Sequence, residues 1–137
     1  MEDNKRKMLV ERKIEVHTYD VDFMQIVNNT VYVKWFENLR MAMMDEYMPL
    51  TETMKDGNSP ILAETNIQYK HPVTFDSKPV GYAWMSDLQK SRWTIEFEIR
   101  EGDKIYATGK QTGYLFNIET KRPVRWPEEM VENWNNM

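Results

Sequence analysis

Two carboxylates and three helix-capping residues stand close together in the stretch DVDFMQIVNNTVYVKWFEN, residues 20–38. Asp22 lies six residues before Asn28, and a carboxylate can act as a nucleophile or as a general base on water. A helix N-terminus offers unpaired N–H groups and a partial positive charge, which together can stabilise an oxyanion. The turn between the two features could therefore bring both functions to one point, with the backbone N–H near Asn29 as the donor.

The same residues also have a purely structural interpretation. A carboxylate at a helix-entry turn commonly bonds local N–H groups, and from the residues alone this interpretation of Asp22 is favoured. Asn28, Asn29 and Thr30 are all good N-cap residues, and such a cap is compatible with other N–H groups directed at a ligand. Asp20 is expected to be a solvated or turn residue.

The residues after Thr30 follow the period of a helix. They predict an amphipathic helix from about Asn29 to Tyr47, with Pro49 marking its far end. Its apolar residues are expected to be core, with the lining of a ligand pocket as the alternative for Tyr32, Trp35 and Phe36. The stripe consists of Val31, Tyr32, Trp35, Phe36, Leu39, Met43 and Tyr47.

The remainder of the chain follows the period of two that is typical of strands. Residues 13–19 predict a first strand before the helix, and residues 51–60 predict a loop after it. Four further strands follow at 61–69, at 80–84, at 93–99 and at 105–118, and a short helix begins after Pro127. In the strand 61–69, Ile61, Ala63, Thr65, Ile67 and Tyr69 are expected to share one face. Gly109 and Gly113 could bend or bulge the last strand.

One long helix followed by strands with short connections predicts an α+β architecture, in which an antiparallel sheet covers the helix. The length of 137 residues suits a single domain spanning residues 1–137. Apolar residues occupy both faces of several strands, for example Trp84 and Met85. We therefore expect the helix to cover one face of the sheet and a second subunit to cover part of the other.

Composition excludes several classes of function. The chain has no cysteine, so disulfides and thiolate chemistry are impossible, and its two histidines, His17 and His71, cannot form a three-histidine zinc site. A net charge of −4 argues against a nucleic-acid partner. The sequence contains no apolar run of the roughly 20 residues that a membrane span requires, and its start lacks a secretory signal. A soluble cytoplasmic protein is expected.

The stretch from residue 20 to residue 38 resembles the signature of hotdog-fold acyl thioesterases of the 4-hydroxybenzoyl-CoA thioesterase type. In that pattern an Asp precedes a short turn that often ends in Gly, followed by an apolar pair, an Asn or His near a Tyr, and an aromatic–Glu pair. The turn position usually taken by Gly is Gln25 here. The Val-Asn-Asn run is also similar to acyl-carrier-protein thioesterases. The matching residues are Asp22, Ile26, Val27, Asn29, Tyr32, Trp35, Phe36 and Glu37.

This resemblance implies a single hotdog fold, a long central helix wrapped by an antiparallel sheet. It also implies hydrolysis of an acyl thioester without a metal or a cofactor, coenzyme A being part of the substrate. The implied catalytic residues are Asp22 and Asn29. The implied partners are acyl-CoA or acyl carrier protein and a second copy of the chain, in a homodimer or homotetramer whose interface contains the site. The substrate-binding candidates are Val27, Asn28, Tyr32 and Glu64.

Several alternatives remain open. The domain could be a catalytically silent module that binds an acyl group, or a hydratase, although hotdog hydratases usually rely on a histidine that is not found at this helix entry. Glu37 is as well explained by a surface position as by a role in the site. Lys90, Ser91 and Arg92 form a small basic turn that could contact the phosphates of coenzyme A, although a solvated turn is the commoner explanation. Neither acyl length nor the choice between coenzyme A and carrier protein follows from the sequence.

Overall fold

The computed structural model describes residues 6–137, so residues 1–5 of the expected domain lie outside the described residues. The described chain forms one antiparallel sheet of six strands around a long helix. The strands run in the order β1-β3-β4-β5-β2, and the short β6 pairs with β5. Their bounds are β1 Val10–Lys13, β2 Asn58–Tyr69, β3 Val80–Gln89, β4 Arg92–Glu101, β5 Lys104–Asn117 and β6 Arg122–Pro123.

The long helix α1 spans Val31–Tyr47, and two short helices, α2 Leu50–Thr53 and α3 Glu128–Asn135, follow it in the chain. The residues of α1 at three- and four-residue spacing are buried against the inner face of the sheet. In the centre of this contact the rings of Phe36 and Phe97 stack with 4.3 Å between their centroids. The expected helix wrapped by an antiparallel sheet is thereby confirmed.

Glycine permits the closest approach between α1 and the sheet. A Cβ atom on Gly109 would lie 2.2 Å from Cε2 of Phe36. A Cβ atom on Gly113 would lie 1.9 Å from the Ile61 carbonyl oxygen of β2 and 2.4 Å from Cζ2 of Trp93. The pairing of β5 with both of its neighbours stays regular at Gly109, whereas the register with β2 shifts directly after the pair Leu62–Gly113. The expected bend or bulge is therefore wrong for Gly109, which makes room for an aromatic ring. Gly113 does lie at a bulge, but the extra residue belongs to the partner strand β2.

The segments flanking α1 differ from expectation. Residues 14–19 are not a strand, because β1 already ends at Lys13 and a 3₁₀ turn begins at Thr18. Residues 51–60 are not a plain loop either. They contain most of α2, a 3₁₀ turn at Lys55–Gly57 and the start of β2 at Asn58.

A bulge around Ala63 in strand β2 changes which residues of the strand point toward α1. Leu62 pairs with Gly113, but Glu64 pairs with Thr112, so the register shifts between them. Consequently Leu62 lies on the face that carries α1, whereas Ile61 lies on the opposite face. The expected single face from Ile61 to Tyr69 is wrong for residues before the bulge.

Candidate active site

A three-residue hairpin loop presents Asp22. The Asp22 N–H donates to the Ile26 carbonyl over 3.0 Å, and the Gln25 N–H donates to the Asp22 carbonyl over 2.8 Å. Gln25 has a φ of 67°, which is the left-handed conformation that closes such loops and that usually favours glycine. This requirement explains why the signature commonly has Gly at the position that Gln25 occupies.

The Asp22 carboxylate is oriented by its own loop and makes no ion pair with a cation of the described chain. Its Oδ1 accepts a hydrogen bond from the Met24 N–H over 2.9 Å. Its Oδ2 accepts no hydrogen bond from the described residues, and the side chain is half-buried. One oxygen is therefore fixed while the other remains available to a ligand or a water molecule.

The N-terminus of α1 offers an N–H donor beside this loop. The Asn28 side-chain oxygen accepts from the N–H of Thr30 over 2.9 Å and from its hydroxyl over 2.8 Å, so Asn28 closes a turn directly before α1. The Asn29 carbonyl accepts from the Tyr69 hydroxyl over 3.1 Å. The Asn29 N–H donates to no acceptor among the described residues, which leaves it available at the start of the helix.

Backbone pairing joins the Asp22 loop to the helix start. Val21 pairs with Val27 in antiparallel fashion, and the Asn28 N–H donates to the Asp20 carbonyl over 2.9 Å. Asp22 and Asn28 therefore lie on the two arms of one tight hairpin, and Asn29 follows directly. The structure brings Asp22, Asn28 and Asn29 into one region.

Two of the expected substrate-binding residues lie in the core beneath this hairpin. Val27 and Tyr32 are each 2% exposed. The Tyr32 ring makes edge contacts with Trp35 and Tyr69, and burial raises the pKa of Tyr32 to about 12, which keeps the phenol neutral. Both residues support the hairpin from below, and their contact with a substrate remains a prediction.

Glu64 lies on the other side of the sheet. It follows the bulge of β2 and pairs with Thr112, on the face opposite to α1. Within one chain the structure therefore does not bring Glu64 to Asp22. The expectation that Glu64 contributes across a subunit interface remains a prediction.

Asp20 has a structural environment that differs from that of Asp22. Its side chain is 6% exposed, and its Oδ2 accepts a hydrogen bond from the His17 N–H over 2.9 Å. Asp20 ends the 3₁₀ turn Thr18–Asp20, so the expectation of a turn residue is confirmed and that of a solvated one is wrong. Asp20 holds one arm of the hairpin in place.

Exposed apolar side chains surround Asp22, a feature that sequence reasoning missed. Phe23 is 93% exposed and Met24 65% exposed, although both belong to the loop itself. Tyr19 and Phe75 are also largely exposed, and the neighbour of Phe75, Thr74, pairs with Ile26. The apolar Phe23-Met24 pair inside a turn was the available signal, because turns usually carry polar residues. Such a rim suits a group that becomes buried on binding.

The described residues contain no cluster of three or more histidine or acidic side chains that could hold a metal ion. None of the helices in the described part of the chain is both long and apolar enough to cross a membrane.

Comparisons with known proteins identify what the chain as a whole is similar to. The sequence model of the thioesterase-like superfamily matches residues 16–134, which include the hairpin, α1 and the sheet. A comparison with curated proteins finds no match.

Solved structures share the fold at low sequence identity. YbaW, a probable thioesterase from Escherichia coli, is 18% identical with a TM-score of 0.82, covering 93% of this chain and 97% of its own. A predicted thioesterase from Bacillus stearothermophilus is 19% identical with a TM-score of 0.80, covering 93% and 95%. DHNA-CoA thioesterase from Staphylococcus aureus is 20% identical with a TM-score of 0.77, covering 93% and 87%. The fold is thus the hotdog fold, and because the family model spans most of its length, the chain belongs to the thioesterase-like superfamily.

Proposed function

We propose that the protein is an acyl-CoA thioesterase that hydrolyses an acyl thioester to the free acid and the thiol. The observation that carries this proposal is the Asp22 carboxylate, fixed at one oxygen in a hairpin loop beside the unpaired Asn29 N–H. A carboxylate and an N–H donor at a helix start are the two groups that acyl transfer to water requires.

The Asn29 N–H would donate a hydrogen bond to the thioester oxygen as negative charge develops there, aided by the positive end of the α1 dipole. As a general base, Asp22 takes a proton from water while the water oxygen bonds to the carbonyl carbon. The carbon–sulfur bond then breaks, and the proton passes to the leaving thiolate. As a nucleophile, Asp22 displaces the thiolate itself, and water hydrolyses the resulting anhydride. Both routes balance without a metal or a cofactor.

We further propose that the working unit contains two copies of the chain paired through β2. Strand β2 is a 12-residue edge strand that pairs only with β5 in the described chain, and it exposes Ile61, Leu62 and Tyr69. A long apolar edge of this kind favours pairing with another strand. A two-fold axis makes the two β2 strands antiparallel, so that the Tyr69 end of one lies beside the Asn58 end of the other. Further association into a tetramer would use other surfaces.

Two neighbouring functions share these features. An acyl carrier protein could deliver the same thioester in place of coenzyme A, since the groups that act on the carbonyl are identical. A silent acyl-binding module would share the fold, but it would not need a half-exposed carboxylate with a free oxygen at the helix entry. The position of Asp22 therefore favours the hydrolase.

Replacing Asp22 with Asn tests the proposal directly. This change keeps the size of the side chain but removes its charge and basicity. We expect kcat on an acyl-CoA substrate to fall by about 10²–10⁴-fold, as is typical when a general base is lost. The measurement is thiol release under steady-state conditions, with the oligomeric state checked by light scattering.

The control is Asp76→Asn. Asp76 is an exposed acid beside the same hairpin, and its replacement changes the net charge equally. Asp20→Asn is not a matched control, because Asp20 is buried and holds the turn, so it would test stability. Wild-type activity in Asp22→Asn, or an equal loss in Asp76→Asn, would remove Asp22 from the mechanism.

A further inference from the structure

We propose that a cavity beside the C-terminal half of α1 binds a carboxylate at the far end of the acyl chain. The preferred substrates would then be thioesters of long-chain dicarboxylic acids. This inference rests on the proposed function, because it assumes a thioester held at Asp22 and Asn29. It adds a chemical class of substrate and a residue that selects it, Arg40.

The cavity lies between α1 and the inner face of the sheet and has a volume of about 160 Å³. A cavity of about 150 Å³ is large enough to hold a benzene-sized group, so this one can accept the end of a chain. Its wall is mostly apolar, and none of its lining residues is acidic. The lining includes Arg40, Met44, Met48, Leu62, Trp93 and Trp126.

Arg40 is a cation without an anion in this wall. Its Nη1 donates to Oε1 of Gln111, which is 1% exposed and in turn donates to the Thr65 hydroxyl over 3.2 Å. Its guanidinium carbon lies 5.7 Å from the centre of the Trp93 ring. No carboxylate of the described chain pairs with Arg40, and the exposed Glu37, one turn earlier on α1, makes no ion pair with it.

Burial makes this unpaired charge costly. Burial lowers the pKa of Arg40, against a weaker opposing influence of Glu37, yet a guanidinium stays charged in proteins. A half-buried cation with free N–H groups is normally matched by an anion. A carboxylate suits Arg best, since the planar guanidinium can bond both of its oxygens.

Two further donors in the wall of the cavity also lack acceptors. The indole N–H groups of Trp93 and Trp126 are buried and donate to no acceptor in the described chain. Unpaired buried donors are uncommon in folded proteins and call for an explanation. The polar side chains around the cavity therefore supply an excess of donors, which suits a ligand that brings oxygen acceptors.

A succession of contacts between α1 and the strands β2 and β5 extends from the hairpin toward this cavity. Tyr69 contacts Asn29 at one end, Thr65 and Gln111 meet Arg40 midway, and Leu62 lines the cavity at the other end. Arg40 lies nine residues beyond the start of α1 at Val31, about 14 Å along the helix axis. An extended chain advances about 3.4 Å for every three bonds, so this distance corresponds to roughly twelve bonds.

The test compares two series of coenzyme A thioesters whose acyl chains have about six to about sixteen carbons, a range that brackets the estimated length of roughly twelve bonds. One series ends in a carboxylate and the other in a methyl group. We expect wild-type kcat/KM to favour the carboxylate series at one chain length. Arg40→Met should lower that preference by on the order of tenfold to a hundredfold, the range for a hydrogen bond to a charged group. The loss should appear in KM with kcat unchanged, because a remote contact is equal in the ground and transition states.

Two variants and one binding measurement complete the design. Arg40→Lys keeps the charge and should retain part of the preference. Lys34→Met removes the same charge from an exposed position on α1 and should leave the preference intact. Calorimetry with the free dicarboxylate and the matching monocarboxylate measures binding without hydrolysis. Wild type and Lys34→Met should prefer the dicarboxylate, and Arg40→Met should not.

The outcomes separate this inference from the proposed function. Hydrolysis of the methyl series with no effect of Arg40→Met on preference would overturn the inference while the thioesterase stands. Binding of the dicarboxylate through Arg40 without any hydrolysis would support the cavity and overturn the thioesterase. A change of oligomeric state in Arg40→Met would assign Arg40 to subunit contacts and overturn the inference.

Discussion

The two ends of α1 present opposite chemistry. At the N-terminal end, Asp22 and the Asn29 N–H are polar, accessible and held by short backbone bonds within one hairpin. Toward the C-terminal end, Met44 and Met48 are buried and line a mostly apolar cavity, in which Arg40 is the only cation among the lining residues. One end carries an anion and a free donor, and the other a cation without an anion.

The difference assigns separate tasks to the two ends. Groups that act on a reacting carbonyl must be accessible to water and substrate, which the hairpin at the first end provides. Groups that recognise a remote part of a substrate gain strength when they are buried, because a low dielectric strengthens each polar contact. Methionine side chains adapt to chains of different shape. Under the proposals above, chemistry occurs at the N-terminal end and selection at the C-terminal end.

If the two ends of α1 act together across two copies of the chain, separating the copies should reduce activity more than any change within the hairpin loop alters stability. In the proposed antiparallel pairing of β2, the hairpin of one copy lies near the cavity end of the other. Ile61→Asp places a charge on the exposed apolar part of β2, where Ile61 is 38% exposed in the single chain. We expect the dimer dissociation constant to rise by about tenfold or more, with activity falling as the dimer dissociates. Light scattering and thiol release across a dilution series measure both.

The matched control for this change is Ile118→Asp, at an exposed isoleucine just after β5 and outside β2. It should leave both the dimer and the activity intact. A monomeric Ile61→Asp protein with full activity at every dilution would show that one chain contains both ends of a complete site.

Replacing Gln25 in the hairpin loop should have a smaller effect, limited to the stability of the fold. Gln25 adopts the left-handed conformation, which costs a residue with a side chain roughly 1–2 kcal/mol. Glycine adopts it freely but loses more entropy on folding. Gln25→Gly should therefore raise the free energy of unfolding by up to about 1 kcal/mol in urea denaturation. The preference between carboxylate and methyl chains should not change.

Met24→Gly serves as the comparison for Gln25→Gly, because Met24 lies in the same loop without a positive φ. It should give no stabilisation. An equal gain in both variants would mean that the loop conformation at Gln25 is not the cause.

The sequence predicted the parts of the fold that depend on local periodicity. The apolar stripe from Val31 to Tyr47 gave α1 to within two residues of its start, and the alternation around Trp93 and Phe97 gave β4 with its inward face. The catalytic candidates Asp22 and Asn29 lie together because the turn between them is short and is encoded in consecutive residues.

Features that depend on distant contacts were not predictable in this way. The need for glycine at positions 109 and 113 comes from the Phe36 ring of α1, the Trp93 ring of β4 and the Ile61 carbonyl of β2, which no local pattern reveals. The bulge at Ala63 moved Leu62 to the inner face of β2, and it follows from pairing with β5. The sequence around Arg40 gives no sign that this residue is buried. Its burial depends on Gln111 and Trp93, which are more than 50 residues away in the chain.

Release of free thiol by the wild-type protein from acyl-CoA thioesters tests the central claim most directly. The assay uses short, medium, long and aromatic acyl groups, with and without a terminal carboxylate, and an acyl-carrier-protein thioester as a separate arm. We expect thiol release that is proportional to protein concentration, that is fastest for a coenzyme A thioester, and that Asp22→Asn reduces by about 10²–10⁴-fold. Thiol release no faster than in buffer for every thioester, from a folded protein that still binds acyl-CoA, would contradict the account and identify a silent acyl-binding module.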